Sequence, residues 1–157
     1  MKTYIAKIDP KAPNPAIIKK AGDIIRAGGL VAFPTETVYG LGGDALSADS
    51  SAKIYAAKGR PCDNPLIVHI ADMSSLNKIA GAIPDAAVLL ADRFWPGPLT
   101  MIMDKSDIVP SATTGGLDTV AVRFPSDPVA QSSSQYLYRA GEKVCVTVPS
   151  TDTCEVK

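Results

Sequence analysis

The stretch Lys58-Gly59-Arg60-Pro61-Cys62-Asp63-Asn64-Pro65-Leu66-Ile67-Val68-His69-Ile70 decides how the chain is built. It reads as the end of a helix, a glycine stop, a polar loop punctuated by two prolines, and then a buried strand. Side-chain alternation over residues 66–71 puts His69 on one face with Ile67 and Ala71, and Leu66, Val68 and Ile70 on the other. A helix dipole places cations at a helix end, and this accounts for Lys58 or Arg60 alone. It leaves Asn64 and His69 unexplained. Two cations, an amide and an imidazole converging on one loop suit phosphates and a small polar substrate.

Outward from this unit, helix and strand patterns alternate, which predicts a mixed α/β (α+β) domain. Upstream, Asn14 caps a helix begun by Pro15, with Ile17, Ile18, Ala21, Ile24 and Ile25 as its apolar face and Gly28-Gly29 as its stop. Residues 30–33 read as a short buried strand. A second helix opens at Asp49 or Ser50 and runs through Tyr55 and Ala57 to Gly59. Downstream, helices are expected at 73–80 and 84–94, and strands at 99–103 and 119–124. In the last strand, Thr119, Ala121 and Arg123 share one face, whereas Val120, Val122 and Phe124 read as core. An arginine beside an alanine on a strand face is suited to gripping a carboxylate or phosphate with two parallel hydrogen bonds.

Bulk properties narrow the function. The 157 residues fit one domain able to bury a core, and 16 basic residues balance 16 acidic ones, giving no net pull toward nucleic acid or anionic membrane. A local cationic cluster around Lys53, Lys58 and Arg60 would suit a phosphate-bearing ligand. No apolar run is long enough to span a bilayer, and the N-terminus lacks a signal peptide's hydrophobic segment. Cys62, Cys145 and Cys154 show no paired short spacing, so reduced thiols, a cytoplasmic address and no zinc site are expected. His69 is the only histidine.

Two further segments stand out. Pro34-Thr35-Glu36-Thr37-Val38-Tyr39-Gly40-Leu41-Gly42 comes directly after a strand. Taken alone it reads as a structural turn, with Gly40, Gly42 and Gly43 letting the backbone turn tightly and Glu36 solvated. Its glycines match neither a Walker loop nor a dinucleotide fingerprint, so any nucleotide must be held mainly by side chains. Phe94-Trp95-Pro96-Gly97-Pro98-Leu99-Thr100 reads as an aromatic wedge and rigid turn without chemistry.

Together these segments and Val120-Ala121-Val122-Arg123 resemble the YrdC family, the threonylcarbamoyl-adenylate synthases of tRNA modification, over residues 15–130. The resemblance implies a single domain with a twisted mixed sheet, flanking helices and a concave cationic face. It implies a nucleotidyl transfer that joins L-threonine, bicarbonate and ATP into threonylcarbamoyladenylate and pyrophosphate, with Mg²⁺ arriving on ATP and no protein-held metal. Thr37, His69 and Arg123 match threonine-binding positions. Lys58, Arg60, Asn64 and Thr119 match positions facing ATP. No catalytic residue is assigned, because positioning and charge neutralisation suffice for this chemistry. The tRNA or its threonylcarbamoyl-transfer machinery is an implied partner.

The family continues into Pro-Ser-Ala-Asn-x-Ser-Gly, which closes over the nucleotide. Here residues 132–157 form an atypical tail in which Pro149-Ser150 is an echo of that loop, giving Ser150 as a further candidate, or else a segment foreign to the family. The missing Asn and Ser-Gly favour a chain truncated or divergent after about residue 131. The alternatives to an active synthase are a YrdC-like RNA- or nucleotide-binding module and an inactive truncated fragment.

Overall fold

A computed structural model describes residues 3–132 and, as backbone, residues 145–149. The helices are α1 (Pro15–Arg26), α2 (Ala48–Lys58), α3 (Met73–Ile79) and α4 (Asp85–Phe94). The strands are β1 (Val31–Phe33), β2 (Gly40–Asp44), β3 (Ile67–His69), β4 (Thr100–Asp104), β5 (Thr119–Arg123) and β6 (Cys145–Pro149). They form one six-stranded mixed sheet in the order β1-β2-β6-β3-β5-β4. Only β3 and β5 pair in parallel; the other pairings are antiparallel.

The sheet separates two apolar clusters. Val68, Val120, Val122, Met101 and Met103 pack with Ile54, Leu76, Ile79 and Ala91 of α2, α3 and α4. Ile25 of α1, Phe33 and Ala130 form a smaller cluster. Thus Val120 and Val122 are core as alternation requires, with Phe124 packed at the margin of the same cluster. α1 begins as expected: Asn14 Oδ1 accepts the Ala16 N–H at 2.9 Å and Pro15 opens the helix. Ser47, rather than Asp49 or Ser50, caps α2, its Oγ accepting the Ser50 N–H at 3.3 Å. In the aromatic turn the wedge is Trp95, whose Nε1 donates to the Leu99 carbonyl at 2.7 Å. Phe94 is exposed.

Three expectations need amendment. Gly40, Gly42 and Gly43 do not make a turn; they lie in strand β2. A Cβ at Gly43 would stand 3.0 Å from Leu30 Cδ2 and 3.3 Å from Ser50 Cβ, so glycine there lets α2 approach the sheet closely. Lys53 is committed to a backbone partner, its Nζ donating to the Gly28 carbonyl at 2.7 Å beyond the end of α1. Within residues 132–157, read as an atypical tail, β6 lies in the middle of the sheet between β2 and β3. β6 is the seam that joins the β1-β2 hairpin to the β3-β5-β4 group. Ser150 lies outside the described residues.

The loop before β3 is held by the segment at 111–117. The Leu66 N–H donates to the Thr113 carbonyl at 3.0 Å, and Thr113 Oγ1 in turn donates to the Ala45 carbonyl at 2.8 Å. Gly115 has φ +61°, and a Cβ there would meet the Asp63 carbonyl oxygen at 2.8 Å. Gly116 has φ +87° with nothing near its missing Cβ. Gly115→Ala is therefore expected to cost about 2–3 kcal/mol, and Gly116→Ala only the left-handed strain of about 1 kcal/mol. Urea denaturation of both variants checks this; equal losses would show that the Asp63 contact carries no weight.

Candidate functional site

Strand register brings two polar strand residues together. His69 of β3 is level with Arg123 of β5, and level neighbours in a sheet project to the same face. Both are buried, at 2% and 5% exposure. The face is that of the smaller cluster, since the His69 ring meets Phe33 edge-on with centroids 6.0 Å apart. The alternation expected in β5, with Arg123 opposite Val120 and Val122, holds.

A buried guanidinium requires a counter-charge. Glu36 supplies it: Arg123 Nη2 lies 2.8 Å from Glu36 Oε1. The Ser126 N–H donates to the same oxygen at 3.3 Å. Glu36 is therefore paired rather than freely solvated as the sequence suggested; its side chain keeps 18% of its exposure. The loop between β1 and β2 is drawn toward the end of β5 and tied to the segment beyond it. The Arg123–Glu36 contact is close but not aligned as a hydrogen bond, and Arg123 Nε and Nη2 have no hydrogen-bond partner among the described residues. Donor capacity is left over at a buried cation.

The charges follow from this arrangement. Burial pushes the Glu36 carboxyl up, but the Arg123 guanidinium and the backbone N–H groups of Glu36 and Ser126 outweigh it and hold the carboxyl below its usual range. Burial, with the nearby Arg123 charge, pushes His69 down to about 3. The imidazole is neutral at physiological pH. Beside Glu36, Thr35 Oγ1 donates to the Val38 carbonyl at 2.7 Å and lies 3.2 Å from Thr37 Oγ1. These hydroxyls shape the loop, and Thr37 itself is exposed.

The other expected residues collect elsewhere. Lys58 ends α2, Gly59 caps it in the left-handed conformation, and Arg60 comes next, its N–H bonded to the Tyr55 carbonyl at 3.2 Å. The Asn64 carbonyl accepts the Tyr55 hydroxyl at 2.8 Å. Ile67 is level with Ala121 in β5 and with Thr147 in β6. Thr119 and Pro149 therefore reach the sheet end at which the Asn64 loop enters β3. Thr119 and Arg123 share a face of β5, about 13 Å apart along the strand. The seven residues thus divide in two. Thr37, His69 and Arg123 gather around Glu36, and Lys58, Arg60, Asn64 and Thr119 belong to the opposite end of β3. His69 stands at the far end of β3 from the loop that carries Arg60 and Asn64. Glu36 is the residue of this site that the sequence alone does not single out; its place between Thr35 and Thr37 is the signal it offers.

A family model described as telomere recombination, the Sua5/YciO/YrdC domain, matches residues 23–154. A threonylcarbamoyl-AMP synthase of Pyrococcus abyssi is 58% identical over 113 residues, covering 72% of this chain and 33% of the relative. One from Bacillus subtilis is 49% identical over 128 residues, covering 81% of this chain and 37% of the relative. The crystal structure of P. abyssi Sua5 complexed with L-threonine superposes with a TM-score of 0.83 at 47% identity, covering 87% of this chain and 39% of that one. The chain spans little more than a third of the length of these relatives.

Neutral His69 gives a pH signature. Its folded pKa lies well below the ordinary value of 6.5, so between about pH 6.5 and 3 the unfolded chain binds a proton that the folded chain does not. Stability is full above pH 6.5 and falls with pH, by about 2 kcal/mol at pH 5 from this residue. The depressed Glu36 carboxyl acts in the same direction, but only as pH falls below about its ordinary value of 4.5. Urea melts between pH 7 and 5 should lose this slope in His69→Gln, whatever its absolute stability. An unchanged slope would mean that His69 is not held neutral.

Proposed function

The chain belongs to the Sua5/YciO/YrdC family, and from that membership we propose that it forms threonylcarbamoyladenylate and pyrophosphate from L-threonine, bicarbonate and ATP, serving tRNA modification. The observation that carries this reading is the buried Arg123 with unspent donors, beside neutral His69. It is a dry, preorganised place for a small carboxylate. Arg123 binds the threonine carboxylate, and His69 and Thr37 complete that subsite. The sheet end with Lys58, Arg60, Asn64 and Thr119 takes the ATP phosphates, and Ser150 is a further candidate by its echo of the family's nucleotide-closing loop.

In this mechanism the threonine amine and bicarbonate give a carbamate with loss of water, and a carbamate oxygen then attacks the α-phosphorus of ATP, with pyrophosphate leaving. The protein contributes no covalent nucleophile. Its cations neutralise phosphate charge, and its two subsites hold the reactants in line. Among the described residues no cluster of three or more His, Cys, Asp or Glu side chains could hold a metal; in this reading Mg²⁺ comes as a companion of the nucleotide. Bound there, it would supply charge neutralisation at the phosphates.

The test is pyrophosphate release by this chain with and without L-threonine and bicarbonate. Release is expected only with both, and none above the threonine-free control would overturn the synthase reading. In the same assay Arg60→Ala should raise the ATP requirement roughly a hundredfold, the loss of one charge-assisted contact, while leaving the threonine requirement nearly unchanged. An equal effect on both substrates would remove Arg60 from the phosphate site.

A further inference from the structure

Glu36 ties its loop to the end of β5, and the synthase reading gives it no further role. Its geometry gives it one. Oε1 is engaged by Arg123 Nη2 at 2.8 Å and by the Ser126 N–H at 3.3 Å. The side chain is not fully covered, at 18% exposure, and both contacts fall on Oε1, leaving Oε2 outside them. Arg123 is 5% exposed, and its Nε has no hydrogen-bond partner among the described residues. A cation with donors to spare and an anion with an oxygen to spare therefore stand in contact.

From this juxtaposition we infer that Glu36 and Arg123 form a zwitterion clamp, in which the spare guanidinium donors take the carboxylate of an α-amino acid and Oε2 of Glu36 takes its ammonium group. The inference rests on the proposed threonine site and adds to it a specificity-determining residue. The charge balance supports it. Arg123 and Glu36 already cancel, and burial keeps His69 neutral, so the three side chains together carry no net charge. A simple carboxylate entering among them would leave one buried negative charge uncompensated, a state that low-dielectric surroundings penalise heavily. A zwitterion adds no net charge and pairs each of its ends. Glu36 thus selects against anions that Arg123 alone would accept, by placing a like charge where they bind.

Isothermal titration calorimetry of the full chain at neutral pH tests this with three probes: L-threonine, 3-hydroxybutyrate, which lacks the ammonium, and L-threonine methyl ester, which lacks the carboxylate. The wild-type chain should prefer threonine over each analogue by at least about tenfold. Glu36→Gln should lose about tenfold in threonine affinity while 3-hydroxybutyrate binding holds or rises, so that the selectivity collapses. Glu36→Asp keeps the charge that compensates Arg123, and it should fold and show an intermediate selectivity even if the glutamine variant does not fold. A merely structural role for Glu36 would weaken all three probes together and leave the ratio intact. Wild-type selectivity retained in both variants, or a wild-type chain that takes 3-hydroxybutyrate as well as threonine, overturns the clamp while leaving the threonine site standing. A wild-type chain that takes up none of the three overturns the threonine site itself, and the clamp with it.

Discussion

A guanidinium charge buried in a sheet face is the constraint around which this domain is arranged. Arg123 is nearly sealed from solvent, and an unpaired ion in that position would cost several kcal/mol, a large share of a domain's marginal stability. Glu36 must reach it, so the loop between β1 and β2 is held against the segment just beyond β5. The same charge, added to burial, keeps His69 neutral. Loop position and ring protonation thus stem from where one arginine is placed. Its place in turn is set by the parallel β3–β5 register.

Much of this is legible in the sequence, for local reasons. Asn14-Pro15 and the spacing of Ile18 and Ile25 specify α1 without help from the rest of the chain, and strand alternation separates Arg123 from Val120 and Val122. The features that resist such reading depend on distant partners. Gly-Leu-Gly-Gly looks like a turn until α2 is seen to need the space above Gly43. Lys53 looks like part of a cationic cluster, and its bond to the Gly28 carbonyl is not visible locally. Glu36 looks solvated because the residue that needs its charge is supplied by another strand. β6 is a different case. Its apolar alternation from Cys145 to Pro149 is local, yet its place at the centre of the sheet depends on pairing with β2 and β3, both far upstream in the chain.

The proposed chemistry uses both ends of the β3–β5 pair. A dry subsite centred on Arg123 suits a small amino acid, while the more open end carrying Lys58, Arg60, Asn64 and Thr119 suits a triphosphate. Separation along one rigid strand lets two reactants be held in fixed relation without a covalent intermediate. β6 contributes by joining the hairpin that carries Glu36 to the strands that carry His69 and Arg123.

The dependence of Arg123 and Glu36 on one another is measurable by a double-mutant cycle, read as unfolding free energy by urea denaturation of Arg123→Gln, Glu36→Gln and the double variant. If the buried charge pair organises the site, each single variant loses about 3 kcal/mol and the double variant costs less than their sum by about 2 kcal/mol, because removing both charges leaves no orphan. Additive losses would mean that the two charges are independent, and the buried arginine would then not be the constraint that places the loop.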